Sequence, residues 1–589
     1  LQDSVTKVIG KRYTITLSNL EQLQIKDGDQ YLDYSGIVTV AVPATVTRSG
    51  AQKNVMVDTS GNKLSATTVT SGIQLPGGSG TGTIVDVVDP LINKESYSAN
   101  SATGQATLNF TATDKYFKAS TLSDSNIQVL INGAVNTTVT KKLTKVKDLT
   151  ETRVTNGTSS TVKVGSEYKL DITGFGAGVK QVKVKFPAGL VTDNNGNSNK
   201  ETEIILYNVL KSATSESEAT SGFLGSASST NATVKAIQRQ NIDNITFVNS
   251  TSSKNANVWD VSAQGDNSIL AWCTKNSNGS YKVYIGSDSE IFGNRDSTQL
   301  FTYVGYSTLC TSTETITNIN LLNVGSVVNM YRMFRCTGYR SMTKLDLGDN
   351  FDTSNVAQFR AMFEGTGYLA MTTLNFGSKF NTSKVTEMSR MFNECGYTKM
   401  TSLNLSAFDT SKVTNMEGMF MKCGYTAMTT LNLGSNFNTS KVTNMEDMFS
   451  WMGALTTLNL GTNFDTSNVT DMSSMFWGTG CYNLTSLKLG DKFDTSKVTN
   501  MNSMFYDFAR HKLESLDLGD KFNTKNVTDM ANMFYNTGSN KMTYLDLGAQ
   551  FTKIPATNSR MFTGCGTTSL EIFAPESIYA TITSFRAGN

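Results

Sequence analysis

The sequence predicts a mainly β chain: strand-rich modules first, then a solenoid of about nine coils carrying a parallel sheet. Three observations predict it. The pair Met-Phe recurs nine times, from Met333-Phe334 to Met561-Phe562, at intervals of 29, 29, 28, 29, 27, 29, 29 and 28 residues. A Leu-x-Leu element, such as Leu403-Asn404-Leu405 or Leu516-Asp517-Leu518, sits at a fixed place between those marks. No proline stands between Pro187 and Pro555, as a long ladder of paired amides requires. A fixed period of this length is the signature of stacked supersecondary units.

The N-terminal side reads as two related modules. Residues 1–88 and 89–210 alternate Val, Thr and Ile with polar residues between Gly/Asn turns, as in VKQVKVKF at 179–186. VAVPA leading to VDTSGN (57–62) is echoed by VKFPAG leading to VTDNNGN (191–197). The first copy has little chain ahead of it, so 1–88 is expected to be a partial or first module and 89–210 a complete β-sandwich. Residues 211–244, including the Ser/Thr/Ala-rich stretch 211–233, read as a flexible tether. A strand-rich N-terminal cap is expected at 245–315, then the repeats at 316–575 and a C-terminal cap or tail at 576–589.

One repeat can be read residue by residue. In Thr456-Thr457-Leu458-Asn459-Leu460 the leucines share one face of a short strand. Phe464, Val469, Met472, Met475 and Phe476 bring further apolar side chains back to that core. Seven such residues offer about 14 kcal/mol of burial, against roughly 40 kcal/mol of entropy for ordering one unit. A unit is therefore expected to stand only in a stack.

Composition narrows the function. Lys+Arg 51 against Asp+Glu 49 leaves a formal charge of +2, too balanced for a nucleic-acid binder. No run of 18 apolar residues is present, so no membrane-inserted segment is expected here. His511 is the single histidine, which excludes a histidine triad or a multi-histidine metal site within one chain. No nucleophile elbow, phosphate-binding glycine loop or zinc-protease motif occurs, so no enzymatic activity is expected. The chain opens at Leu1 without a basic-then-apolar leader, as a processed or partial chain would.

The Leu-x-Leu element with FDTSNVTDMSSMF (464–476) or FDTSKVTNMNSMF (493–505) resembles the BspA-type leucine-rich repeat of bacterial surface proteins, over about 316–575. Residues 258–292 look like the strand-rich cap that precedes such repeats, with Trp259, Trp272 and Tyr284 as its core. FPAGLVTDNNGNSN (186–199) is similar to bacterial Ig-like modules. The resemblance implies Ig-like sandwiches followed by a right-handed leucine-rich-repeat solenoid. It further implies a secreted, cell-surface adhesin whose partner is a host or bacterial surface protein or glycan. The alternative is a structural subunit that self-assembles into a surface layer or filament.

Four sets of residues bear on function. Coils early in the array carry Gly338-Tyr339, Gly367-Tyr368, Gly396-Tyr397 and Gly424-Tyr425, expected to form a stacked structural ladder. Later coils replace this pair with larger groups: Trp451, Trp477, Tyr506, Phe508, Arg510, His511 and Tyr535. Aromatics and arginine predominate at binding hot spots, so these seven form the candidate ligand surface. The Asp or Asn of the FDTS turn (Asp352, Asn381, Asp409, Asn438, Asp465, Asp494, Asn523) interchanges freely, which favours a turn role over calcium. No cofactor is expected apart from structural calcium in the stalk, with Asp86 and Asp89 as its candidates. Five of the seven cysteines follow Met-Phe and read as core thiols, with Cys395 and Cys423 the one pair placed for a disulfide.

Overall fold

A computed structural model describes residues 89–587, apart from 102, 156–157, 177, 195 and 215–217, and short antiparallel strand pairs between Gln24 and Gln74. The chain is mainly β. Residues 89–210 form two four-stranded antiparallel sheets. One orders Thr140–Thr155, Thr158–Thr173, Gln105–Thr113 and Leu91–Asn100; the other orders Ala134–Val135, Gln128–Ile131, Gln181–Phe186 and Thr202–Asn208. Their alternating inward residues, among them Leu108, Phe110, Leu170, Val184, Phe186 and Leu206, close into one core.

No tether follows. The expectation for 211–244 fails because its apolar residues are spent on packing. Phe223, Leu224, Val234 and Ile237 are buried in the same core as the repeats. The backbone passes directly from the last sandwich strand into the next module, with Leu210 N–H donating to Phe292 O (2.8 Å) and Lys211 N–H to Val261 O (2.8 Å). Phe292, which follows Ile291 of the repeat core, is itself part of the sandwich core and packs 4.4 Å from the Tyr207 ring.

Residues 242–317 build a five-stranded sheet in the order Val258–Asp260, Leu270–Lys275, Tyr281–Gly286, Ile242–Val248, Ile316–Thr317. Its last pairing is parallel and leads into the repeats. Trp259 lies in the shared core, whereas Trp272 stacks on half-buried Tyr284 at 5.7 Å.

The repeats stack in register. The Leu-x-Leu strands pair in parallel, Leu345 beside Leu374, Leu403 beside Leu431, Leu458 beside Leu487, and Leu545 between Leu516 and Ile572. These strands are only two or three residues long and pair in groups of two or three. The unbroken ladder runs instead through the Met-x-x-Met-Phe segment. There a parallel bridge links Asp296, Asn329, Gln358, Glu387, Asn415, Asn444, Asp471, Asn500, Asp529 and Thr557 in succession. Alternate amides cross to the next unit: Met330 to Gln358 O, Arg332 to Arg360 O, Phe334 to Met362 O, Cys336 to Glu364 O. The amides between them turn back within the unit, as Met333 does to Met330 O and Arg335 to Arg332 O.

This alternation requires left-handed backbone. The residue before Met-Phe has φ between 52° and 57° in every unit, although it is Arg332, Ala361, Arg390, Gly418, Asp447, Ser474, Ser503, Asn532 or Arg560. Each non-glycine example costs about 1–2 kcal/mol, offset by the bonds to neighbouring units.

The array also holds one rung more than the Met-Phe count. Leu300-Phe301 takes the Met-Phe place ahead of the first copy, and Phe301 heads a file of ten rings ending at Phe562. Neighbouring centroids in that file lie 5.2–5.8 Å apart. This first rung has no preceding unit to donate to its carbonyls. Arg239, fully buried, does so: its Nη1 donates to the carbonyls of Gln299 (3.0 Å), Leu300 (3.1 Å) and Thr302 (3.1 Å). At the other end, strand Glu571–Phe573 is followed by helix Glu576–Ala587, which lays Ile578 and Ile582 on the core.

Candidate functional site

The outward face of the repeats is built from small regular devices. The FDTS-position Asp or Asn accepts from the amide two residues on, as Asp352 does from Ser354 (2.9 Å) and Asn438 from Ser440 (2.9 Å). The turn role explains why the two types interchange. The threonine after it is buried and bridges units: Thr439 Oγ1 donates to Asp465 O and accepts from Asp465 N–H, both at 2.8 Å. On the strand side, Asn375 donates to Asp346 and Asn432 to Asn404, each at 2.9 Å, as stacked polar side chains.

The aromatic residues form a continuous file along one face. It starts from Gly-Tyr. Gly367 has φ 58°, and a Cβ there would lie 2.3 Å from Met371 Cβ, so only glycine fits where the chain folds over the methionine. The tyrosine that follows is then stacked on its counterparts: Tyr306 to Tyr339 at 4.7 Å, Tyr339 to Tyr368 at 4.6 Å, Tyr368 to Tyr397 at 4.4 Å, Tyr397 to Tyr425 at 5.0 Å. Burial, then neighbouring phenols and Glu394, raises the Tyr368 hydroxyl above the usual tyrosine range.

At the next unit the tyrosine position holds Gly453. Ala454 N–H donates to Tyr425 O and Tyr482 N–H to Gly453 O, each at 3.2 Å, which fixes the register. Tyr425 and Tyr482 lean together across the glycine with hydroxyls 3.0 Å apart. The file divides here. One branch passes from Tyr482 to a stacked His511 (6.2 Å), whose Nδ1 meets Asn540 Nδ2 at 2.7 Å. The other steps sideways from Tyr425 to Trp451 (6.1 Å), then Trp477 (5.8 Å), Tyr506 (5.3 Å) and Tyr535 (4.6 Å).

Of the seven expected residues, four are thus contiguous: Trp451, Trp477, Tyr506 and Tyr535, all half-buried. Phe508 does not join them. It is fully buried, 5.4 Å from Phe505 and 6.0 Å from Phe476, because its place is the inward one filled elsewhere by Thr366, Cys395, Cys423 or Thr479. Arg510 and His511 are exposed one row away, and Arg510 acts electrostatically on Tyr506. Tyr303, Tyr306 and Tyr482 belong to the aromatic face and were not expected from the sequence. Tyr306 precedes the first Met-Phe mark, and Tyr482 is displaced by one residue from the Gly-Tyr register.

Charge changes along this face. Near its start Arg332 lies 4.8 Å and Arg360 5.8 Å from the Tyr331 ring centre, and Arg335 lies 5.4 Å from that of Tyr303. Further on, Glu417 pairs with Arg390 (2.8 Å), whereas Glu446, Asp447 and Asp471 stand without an ion pair. Burial, then repulsion from Asp471 and Asp447, raises the Glu446 carboxyl; burial raises that of Asp447.

Cys395 and Cys423 form no disulfide; both are fully buried, and burial raises both thiols. In the stalk Asp89 pairs with Lys200 at 2.9 Å, and Asp86 lies outside the described residues. Among the described residues no three His, Cys, Asp or Glu side chains gather as a metal site.

A family model described as "Mycoplasma protein of unknown function, DUF285" matches three stretches, residues 307–395, 328–458 and 450–572. This corrects the resemblance drawn above: the repeats match that family, not the BspA-type leucine-rich repeat, and the Ig-like family assignment for the stalk, made with it, is withdrawn. The physical reason is that alternating Leu-x-Leu and inward Met-Phe are what any stacked unit needs, whatever its family. No curated protein and no solved structure matches the chain. Among the described residues no helix is long and apolar enough to cross a membrane.

Proposed function

We propose that this chain is a secreted, cell-surface adhesin. In this reading a sandwich stalk displays a right-handed solenoid that binds a macromolecule of a host or neighbouring cell, and no reaction is catalysed. The observation that carries it is the half-buried file Trp451, Trp477, Tyr506 and Tyr535, continuous across four units on an outward face. Large rigid aromatics supply contact area at low entropic cost, the chemistry of binding hot spots. A purely architectural array would gain nothing from placing Trp477, Tyr506 and Tyr535 where earlier units hold Glu364, Asn393 and Met421.

The full chain probed on glycan and protein arrays tests the reading. Trp451→Ala with Trp477→Ala should abolish the signal, while Tyr339→Ala in the regular part should leave it. Equal loss from both would refute the reading. Self-assembly into a surface layer is the second reading, favoured by Tyr544, Phe573 and Tyr579, which stand 37%, 46% and 61% exposed at the last units. Light scattering that shows spontaneous polymers, dispersed by Phe573→Ser, would select it instead.

A further inference from the structure

Building on the reading of the aromatic face as a binding surface, we propose that its occupant is an arginine- and lysine-rich polypeptide segment of a partner protein. The segment would lie across the units from Met419 to Met533. The turn segments of those five units (415–422, 444–451, 471–478, 500–507 and 529–536) present six carboxylates: Glu417, Glu446, Asp447, Asp471, Asp507 and Asp529. Within those segments stands one cation, Lys422, with Arg390, Arg510 and Arg560 at their borders. In the three preceding units the same positions (329–336, 358–365 and 387–394) hold four arginines and three glutamates.

The preceding units also show what this face does with its rings. There the chain's own guanidiniums lie over Tyr331 and Tyr303. From Trp451 to Tyr535, among the described residues, no Lys or Arg of the chain lies over a ring, and only Glu417 of the six carboxylates is in an ion pair. Aromatic faces bordered by uncompensated carboxylates select cations, by cation–π attraction and by Coulomb attraction together. At Glu446 and Asp447 burial, with repulsion from neighbouring carboxylates, outweighs the attraction of Arg390 and Lys422, so an incoming cation relieves a cost the free protein carries. Guanidinium suits the site best, because it both stacks on aromatic faces and pairs with carboxylates. The separation of the carboxylates over successive units calls for several cations on one strand rather than a single small ligand.

The chain carries its own reporter. Of its four tryptophans, Trp259 and Trp272 are buried beside the five-stranded sheet, leaving Trp451 and Trp477 on the face. Titrating the full chain with a synthetic peptide alternating arginine and glycine should quench tryptophan fluorescence, and added salt should weaken the binding. The triple variant Glu446→Gln, Asp447→Asn, Asp471→Asn keeps side-chain shape and should bind at least about tenfold more weakly. Arg360→Gln, on the opposite half of the face, should bind as the parent does. Quenching by a glycine–serine peptide as strong as by the arginine peptide, or none by either, would overturn the proposal. So would tight binding to phosphatidylcholine vesicles instead, or a salt-sensitive self-association lost in Arg360→Gln, which would name the chain's own arginines as occupant. Failure of the cationic class leaves the adhesin reading to its own test, since an array signal lost only with Trp451 and Trp477 would survive it.

Discussion

Arg239 does the work of a whole missing unit. Alternate carbonyls of each later turn segment receive an amide from the unit before, and the first rung receives three bonds from one guanidinium instead. Arg239→Met should lower stability by roughly 3 kcal/mol or more, since buried carbonyls are left without a donor. Arg239→Lys should recover only part of this, because it loses the planar guanidinium that also lies 5.3 Å from the Phe223 ring centre. Thermal melts of the three chains would check it. A quieter residue-scale contrast lies in the threonines. Thr439→Val breaks two buried bonds between units and should cost about 1–3 kcal/mol. Thr443→Val, exposed and donating at 3.3 Å to Thr414 O, should cost under about 0.5 kcal/mol by the same melts. Which residues face inward was readable from alternation, as with Leu458 and Met475. Arg239 was not, because an arginine in a Ser/Thr-rich stretch looks solvated until its partners, 60 residues away, are in place.

The aromatic file is the element where sequence and structure part most usefully. Tyr339, Tyr368, Tyr397 and Tyr425 announce themselves by constant Gly-Tyr spacing, and they stack as that spacing implies. Trp451 and Trp477 look like an interruption in sequence but continue the file in space, by a sideways step that only the register of amides reveals. Phe508 shares their spacing and not their face, because a one-residue difference within the turn sends a side chain to the core. The strand expectation erred in a related way. Leu-x-Leu is the conspicuous strand in sequence, yet continuity lies in turns whose left-handed position before Met-Phe holds glycine only at Gly418 and otherwise Arg, Ala, Asp, Ser or Asn, so composition does not reveal it. The ladder has a pH signature. Burial, then the Tyr482 hydroxyl, pushes the Tyr425 phenol up to about 12. Its contribution is complete below the ordinary tyrosine value of about 10 and is lost as pH rises through the folded value. Denaturation midpoints should therefore fall between pH 10 and 12 in the parent chain, and fall less in Tyr425→Phe.

At the scale of the molecule, the sheet module, the segment before it and the repeats share one core running from Leu210 to Ile582. The boundary drawn from sequence at residue 245 cuts through that core. A fragment 211–589 should melt as one cooperative unit, whereas 245–589, lacking Phe223, Val234 and Arg239, should show a broad, low transition in calorimetry. A sharp transition in the shorter fragment would refute the assignment of those residues to the cap. The sandwich should couple to this body through Asp266. Burial raises its carboxyl, but bonds from Ser268 and Gln181 and the charge of Lys183 outweigh that and hold it down to about 2. The junction keeps this contribution above the ordinary aspartate value of about 4 and loses it as pH falls through the folded one.

The direction of the bonds between units has a mechanical meaning. They run along the stack, so a load pulling the last unit away from the stalk bears on one rung at a time instead of shearing all of them together. Each released unit of 27–29 residues would pay out on the order of 100 Å of chain. Under tension the array should lengthen in near-equal steps from its last unit, while the rung anchored by Arg239 yields last, a staircase that single-molecule pulling would read.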